Sequence, residues 1–194
     1  MKTLEKVITE ELSLTTLPER IFFTGVPGSR WSGIAREIKS EDQYNCTDRA
    51  AHRAYKHHDK IGHTEAYYGT GMEFDCNLDR ANLDAPYSNS DSAFGCKLHM
   101  SHEWPYYFEA IQDAYPISWI QLVYRPDWAS FLWWKEAGGF EINYPNYDWY
   151  RTDDEMLKSI KEQNQLILDF AQKHSVQWLQ HHTHSDIFIG TYKP

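Results

Sequence analysis

The chain has 194 residues, 41% apolar and 24% charged. That is the balance of a folded chain, and the length suits one domain with a substantial core. The net charge of −9 disfavours a nucleic-acid backbone as partner, although a local loop in an acidic protein can still hold a small anion. Three widely spaced cysteines, Cys46, Cys76 and Cys96, form no C-x-x-C pair, which argues against a disulfide framework or zinc knuckle and predicts reduced thiols in a cytoplasmic protein.

Residues 1–16 hold Lys2, Glu5, Lys6, Glu10 and Glu11 and no apolar h-region, so no signal peptide is expected, and no apolar run reaches the length of a membrane span. Leu4, Val7, Ile8 and Leu12 give residues 4–14 the pattern of a short amphipathic helix. Residues 20–24 read as the first strand. A Gly/Pro/Ser loop follows, and residues 32–39 open a helix with Ile34, Ala35 and Ile38 on one face. Residues 49–60 allow a helix with few large apolar side chains. Residues 62–89, with Gly62, Gly69, Gly71, Asn77, Asn82, Pro86 and Asn89, read as loops and turns. An irregular insertion at about 41–92 in a single domain of 1–194 is of the kind that serves as a substrate-binding segment or lid.

Order returns with a strand at 94–99 and a helix over 102–115. Residues 117–124 form the clearest strand, nearly all apolar as in a buried parallel sheet. Pro126 reads as a first-turn proline. Residues 127–136 are apolar almost all round, which predicts a buried helix ended by Gly138-Gly139. Aromatic residues 143–151 read as a loop. Thr152 starts the longest helix, 153–174, with acidic residues in its first turn. A short strand at 176–179 follows. The alternation of strands and helices predicts an α/β domain of three layers with a mainly parallel sheet flanked by helices.

The chemistry concentrates in Gly25-Val-Pro-Gly-Ser-Arg-Trp-Ser32. Strand, small-residue loop and helix form the layout of a P-loop, where backbone N–H groups and a helix N-terminus face an anion. In the pattern G-x-x-x-x-G-K-[ST], Gly25 and Ser32 fit, while Arg30 and Trp31 replace the final Gly and the Lys. The plainer reading is a βα turn that needs glycine for its backbone angles. Eight Trp and thirteen Tyr serve either a core or a cleft that stacks a ring such as adenine.

Two further segments make the chain resemble the sulfotransferase family. Val26-Pro-Gly-Ser29 resembles its P-loop motif, Lys97-Leu-His99 its Lys-x-His motif, and Val123-Tyr-Arg-Pro126 with Asp127-Trp-Ala-Ser130 its 3′-phosphate motif, in the family's order. The resemblance implies a P-loop fold and sulfuryl transfer from 3′-phosphoadenosine 5′-phosphosulfate to a hydroxyl or amine of a small molecule or glycan. It implies that Pro27, Gly28, Ser29, Arg30, Trp31 and Ser32 hold the 5′ anion and that Arg125 and Ser130 bind the 3′-phosphate. His99 is then the base, with Lys97 and Arg30 supporting the transfer. The family's P-loop Lys would fall near Gly28 and is absent; the Asn between Arg and Pro is missing, and Ser130 follows Arg125 more closely than in the family. The alternative is a P-loop nucleotide-binding protein, kinase-like or without catalysis.

Sulfuryl transfer needs positioning and positive groups, so no metal is expected. At the strand end, His99 would face the crevice where open α/β sheets bind ligands, and Lys97 shares its face. For Arg125 the plain alternative is an ion pair with Asp127 or Glu136, and for His99 a core histidine. His181-His-Thr-His184 and Asp186 have a spacing that suits either a metal or a polar tail after the last strand. His57, His58, Asp59 and His63 form a weaker cluster.

Overall fold

The computed structural model describes residues 17–39, 44–45, 77–84, 96–141 and 151–194. The expected helices at 4–14 and 49–60, most of the 41–92 insertion, the aromatic stretch at 143–150, Cys46, Cys76 and the cluster from His57 to His63 lie outside the described residues.

The apolar run after Glu19 becomes β1 (Arg20–Gly25), buried along its whole length. It is central: β3 (Cys96–Met100) and β4 (Trp119–Tyr124) flank it, both parallel to it, and β2 (Tyr44–Asn45) borders β3 in parallel. Side chains alternate across the sheet. Phe22, Ile120 and Leu122 face one core; Ile21, Phe23, Leu98, Met100 and Val123 face the other. α1 (Trp31–Lys39) covers the second face with Ile34 and Ala35. α3 (Phe108–Ala114), α4 (Asp127–Glu136) and α5 (Asp153–Lys173) supply Ile111, Phe131 and Ile160 to the first.

The expectation of a mainly parallel sheet is corrected. The sheet is mixed, in the order β2-β3-β1-β4-β6-β5, where β5 is Trp178–Gln180 and β6 is Phe188–Tyr192. β6 runs antiparallel to both β4 and β5 and separates them. The segment 181–187 is too short for the crossover that a parallel return requires, so it can only close a hairpin. The sequence expectation ends its strands at 176–179, so β6 lies beyond it.

Other elements differ in detail. Arg80–Asp84 forms a short helix, α2, inside a stretch read as loops and turns. The helix expected over 102–115 opens as a 3-10 turn, Trp104–Tyr107, with Pro105 at its start, and becomes α-helical only from Phe108. Pro126 caps α4 from outside its first turn. α4 is not buried all round: Trp128 and Leu132 are 58% and 61% exposed, while Ser130, Phe131 and Trp134 face inward. The start of α5 follows expectation. Glu155 N–H donates to Thr152 Oγ1 at 3.2 Å and Thr152 N–H to Glu155 Oε2 at 3.0 Å, a reciprocal capping box.

β1 sends its chain to α1 on one face, while neighbouring β4 sends its chain to α4 and α5 on the other. The C-terminal ends of β1 and β4 therefore border the crevice where open α/β sheets bind ligands.

Candidate functional site

The loop after β1 is tightly wound. Ser29 N–H donates to Val26 O at 3.0 Å, and Ile34 N–H donates to Arg30 O at 3.0 Å, which starts α1. Gly28 has φ 79° and Arg30 φ 64°. Arg30 stands where the P-loop pattern has its final Gly and takes the left-handed conformation that glycine adopts without strain. Space dictates the glycines too. A Cβ on Gly25 would lie 2.7 Å from Ser29 Oγ and 2.6 Å from Trp31 Cβ.

The first turn of α1 leaves its leading N–H groups without intrahelical acceptors, and no acidic residue stands there to take them. Among the described residues, the buried hydroxyls of Thr24 and Ser29 find no hydrogen-bond partner. A buried hydroxyl without a partner costs stability unless something accepts from it. An anion in the loop would accept from Ser29.

Arg125, immediately after β4, ties three segments together. Its Nε donates to Asp186 Oδ2 at 2.7 Å and its Nη1 to Gly28 O at 3.2 Å, and its guanidinium lies 5.6 Å from the Trp133 ring. Arg30 lies 4.7 Å from the same ring. Two guanidiniums thus reach one indole beside the loop, both within cation–π range. The ion-pair partner is Asp186, not Asp127 or Glu136; Asp127 accepts from Asn164 Nδ2 at 2.7 Å. Ser130 is buried under the loop, and its hydroxyl donates to Arg125 O at 3.2 Å, so it braces the strand end. Pro27, Trp31 and Ser32 complete the loop and first turn, with Trp31 in the core and Ser32 half-buried.

The structure does not bring Lys97 and His99 to this place. Lys97 pairs in register with Arg20, the first residue of β1, about 16 Å down the strand from Gly25 at the usual rise. Its ammonium lies 2.7 Å from Asp84 and 3.5 Å from Glu19. His99 is fully buried, stacked on Phe22 at 5.2 Å, with Nε2 3.3 Å from Arg20 Nη1. Guanidinium only donates, so Nε2 accepts and this ring is neutral. So placed, His99 has the surroundings of a core histidine, the plainer of its two expected roles. Alternation places Lys97 and His99 on one face, and there His99 packs on Phe22 while Lys97 pairs with Asp84 and Glu19.

Sequence reading passed over Ser101-His-Glu103 at the C-terminal end of β3, all buried beside β1, with Ser101 N–H donating to Phe23 O at 3.1 Å. The signal was present: a polar triplet directly after a strand, at the sheet edge that carries ligand groups. Burial pushes the His102 pKa down from 6.5 to about 3, and Glu103 Oε1, 3.8 Å away, does not offset it. The unfolded chain takes a proton on this residue near pH 6.5 and the fold does not. Stability therefore falls as pH drops from about 6.5 toward about 3, by up to about 1.4 kcal/mol per unit. His174, His181 and His184, each lowered first by burial, add the same sign. Urea unfolding of wild type and His102→Gln between about pH 4 and 7 should show a shallower slope in the variant. Equal slopes would remove His102 as a cause.

The second histidine cluster lies in the β5–β6 turn. His181 Nδ1 accepts from the N–H groups of Thr183 and His184 at 3.2 and 3.3 Å, and its ring stacks on His182 at 4.7 Å. Asp186 is engaged by Arg125, and no group of three His, Cys, Asp or Glu placed to hold a metal occurs among the described residues. No helix among them is long and apolar enough to cross a membrane. Cys96 is buried on β3. No protein-family model, curated protein or solved structure matches this chain.

Proposed function

We propose that this chain is a P-loop-type domain of three layers that binds the anionic end of a nucleotide, and that the nucleotide is 3′-phosphoadenosine 5′-phosphosulfate. One observation carries the reading. The loop 25–30, wound through left-handed Gly28 and Arg30, sets the N-terminus of α1, a buried Ser29 hydroxyl with no hydrogen-bond partner among the described residues, and two guanidiniums around one place. Backbone N–H groups and the Ser29 and Ser32 hydroxyls would donate to the anion's oxygens. Arg30 and Arg125 would balance its charge with planar forks where the pattern has a point-charged lysine. As an enzyme the chain would pass the sulfuryl group to a hydroxyl or amine of a small molecule or glycan, mainly by positioning and charge stabilisation.

A second reading, a nucleotide binder without transfer, draws its support from the placement of Lys97 and His99. A hydroxyl acceptor cannot reach a fully buried imidazole hydrogen-bonded to Arg20.

The test is binding of 3′-phosphoadenosine 5′-phosphate, ATP, ADP and GTP to wild type and Arg30→Gly by calorimetry. Glycine relieves the left-handed strain, so the variant should fold about 1 kcal/mol more stably. Loss of the guanidinium should weaken binding of the 3′-phosphoadenosine ligand about tenfold, on the order of 1.4 kcal/mol. Opposite movements of stability and affinity separate a ligand contact from a structural one. Binding of none of the four nucleotides would overturn the proposal. Binding without transfer of labelled sulfate across hydroxyl and amine acceptors would favour the second reading.

A further inference from the structure

Asp186 sits 2.7 Å from the Nε of Arg125, and Arg125 in turn holds Gly28 O at 3.2 Å. The turn between β5 and β6 is thereby pinned to the loop after β1. It is also internally braced. His181 N–H donates to Ile187 O at 2.9 Å, Ile187 N–H to His184 O at 3.0 Å, and Gln180 Nε2 to Ser185 O at 2.7 Å. His181 Nδ1 receives the N–H of His184, and the two rings stand 5.3 Å apart. A braced turn holds the half-buried His184 two residues from the carboxylate that engages Arg125.

We propose that His184 is a third cationic side chain of the anion site, joining Arg30 and Arg125 when it takes up a proton as the anion binds. This rests on the reading of the loop as an anion site. Among the described residues, the charged and titratable groups whose fields act on His184 are Arg30 from the loop, Arg125 from the end of β4, and His181 and Asp186 from its own turn. Burial first, then the positive charge of Arg30, hold its pKa below 6.5, with Asp186 pulling weakly the other way. Without a ligand the ring is therefore neutral at neutral pH. A dianion placed against Arg30 and Arg125 reverses the sign of the local field and raises that pKa. Affinity then rises as pH falls, and each binding event takes up a proton. The ligand class is a sulfate or phosphate group, the fixed dianion being the clean probe.

The experiment is titration of the full chain with inorganic sulfate, whose charge does not change between about pH 5 and 8, followed by NMR or thermal shift. Wild type should bind about tenfold more tightly at pH 5.5 than at pH 7.5. His184→Gln should lose the pH dependence and bind no more tightly at pH 5.5 than at pH 7.5. His184→Lys, permanently charged, should bind at pH 7.5 as wild type does at pH 5.5, which keeps the test open if the Gln variant folds poorly. His182→Gln should keep the wild-type slope. Sulfate binding that is lost in Arg30→Gly but keeps its full pH dependence in His184→Gln overturns the role of His184 and leaves the loop reading standing. No sulfate binding by wild type at any pH overturns both.

Discussion

Gly28→Ala is expected to lower stability by about 2–5 kcal/mol, the sum of a left-handed residue with a Cβ and an overpacked contact. Gly28 has φ 79°, and a Cβ there would stand 1.9 Å from Ser130 O, 2.8 Å from Ser130 C and 2.9 Å from Trp134 Cβ. None of these atoms is the loose end of a side chain. Relief requires moving α4 away from the loop, and α4 is fastened at its start, where Asn164 Nδ2 donates to Arg125 O at 2.9 Å and to Asp127 at 2.7 Å. Gly33 is the control. A Cβ at that position meets nothing within 4 Å among the described residues, so Gly33→Ala inside α1 should stabilise by roughly 0.5–1 kcal/mol. Urea unfolding of the two variants checks this through the midpoint at constant slope. A Gly28→Ala protein as stable as wild type would mean that the loop and α4 do not pack this way.

Arg20→Ala is expected to cost about 3–5 kcal/mol, the range for removing one member of a buried charge network. Arg20 is 1% exposed. Its Nη2 lies 2.7 Å from both Glu19 and Asp84, its Nη1 3.3 Å from His99, and its guanidinium 5.2 Å from the Tyr115 ring. Arg20→Lys should recover little, because a point charge cannot span the fork. Burial pushes the Asp84 carboxyl up, but hydrogen bonds from Lys97 and Arg20 outweigh it and hold the pKa below 3.8. The stability this lowering confers is full above pH 3.8 and is lost as pH falls through the folded value. Arg20→Ala should shrink that acid-side loss. Guanidinium-free denaturation in urea at neutral and acid pH measures both effects. An Arg20→Ala variant within 1 kcal/mol of wild type would show that Glu19, Asp84 and Lys97 close the network without it.

These two sites mark different depths of legibility. Gly28 lies in a loop whose small residues, preceding strand and following helix were evident from neighbours in the chain. The network of Arg20 was not, because Arg20 at the head of an apolar run reads as a flank, and its partners His99 and Asp84 lie far along the sequence. The same holds for Arg125. Its place at the end of a strand was readable, while its partner Asp186, 61 residues on, was not.

By itself, the sequence determined what local forces decide. Continuous apolar runs made β1 and β4 buried strands, the Thr152 box started α5, and Gly25 to Ser32 made a tight loop at a helix N-terminus. Each signal is spent within a few residues, where periodicity, capping and backbone sterics operate. Only the tertiary structure decided which way shared faces turn and which distant groups meet. A period of two put Lys97 and His99 on one face, but packing buried His99 against Phe22 and paired Lys97 with Asp84 and Glu19. The hairpin that inserts β6 beside β4 carried Asp186 to Arg125, beside the loop. Such choices follow from burying surface against whatever else the chain brings, and no window of neighbouring residues contains that information.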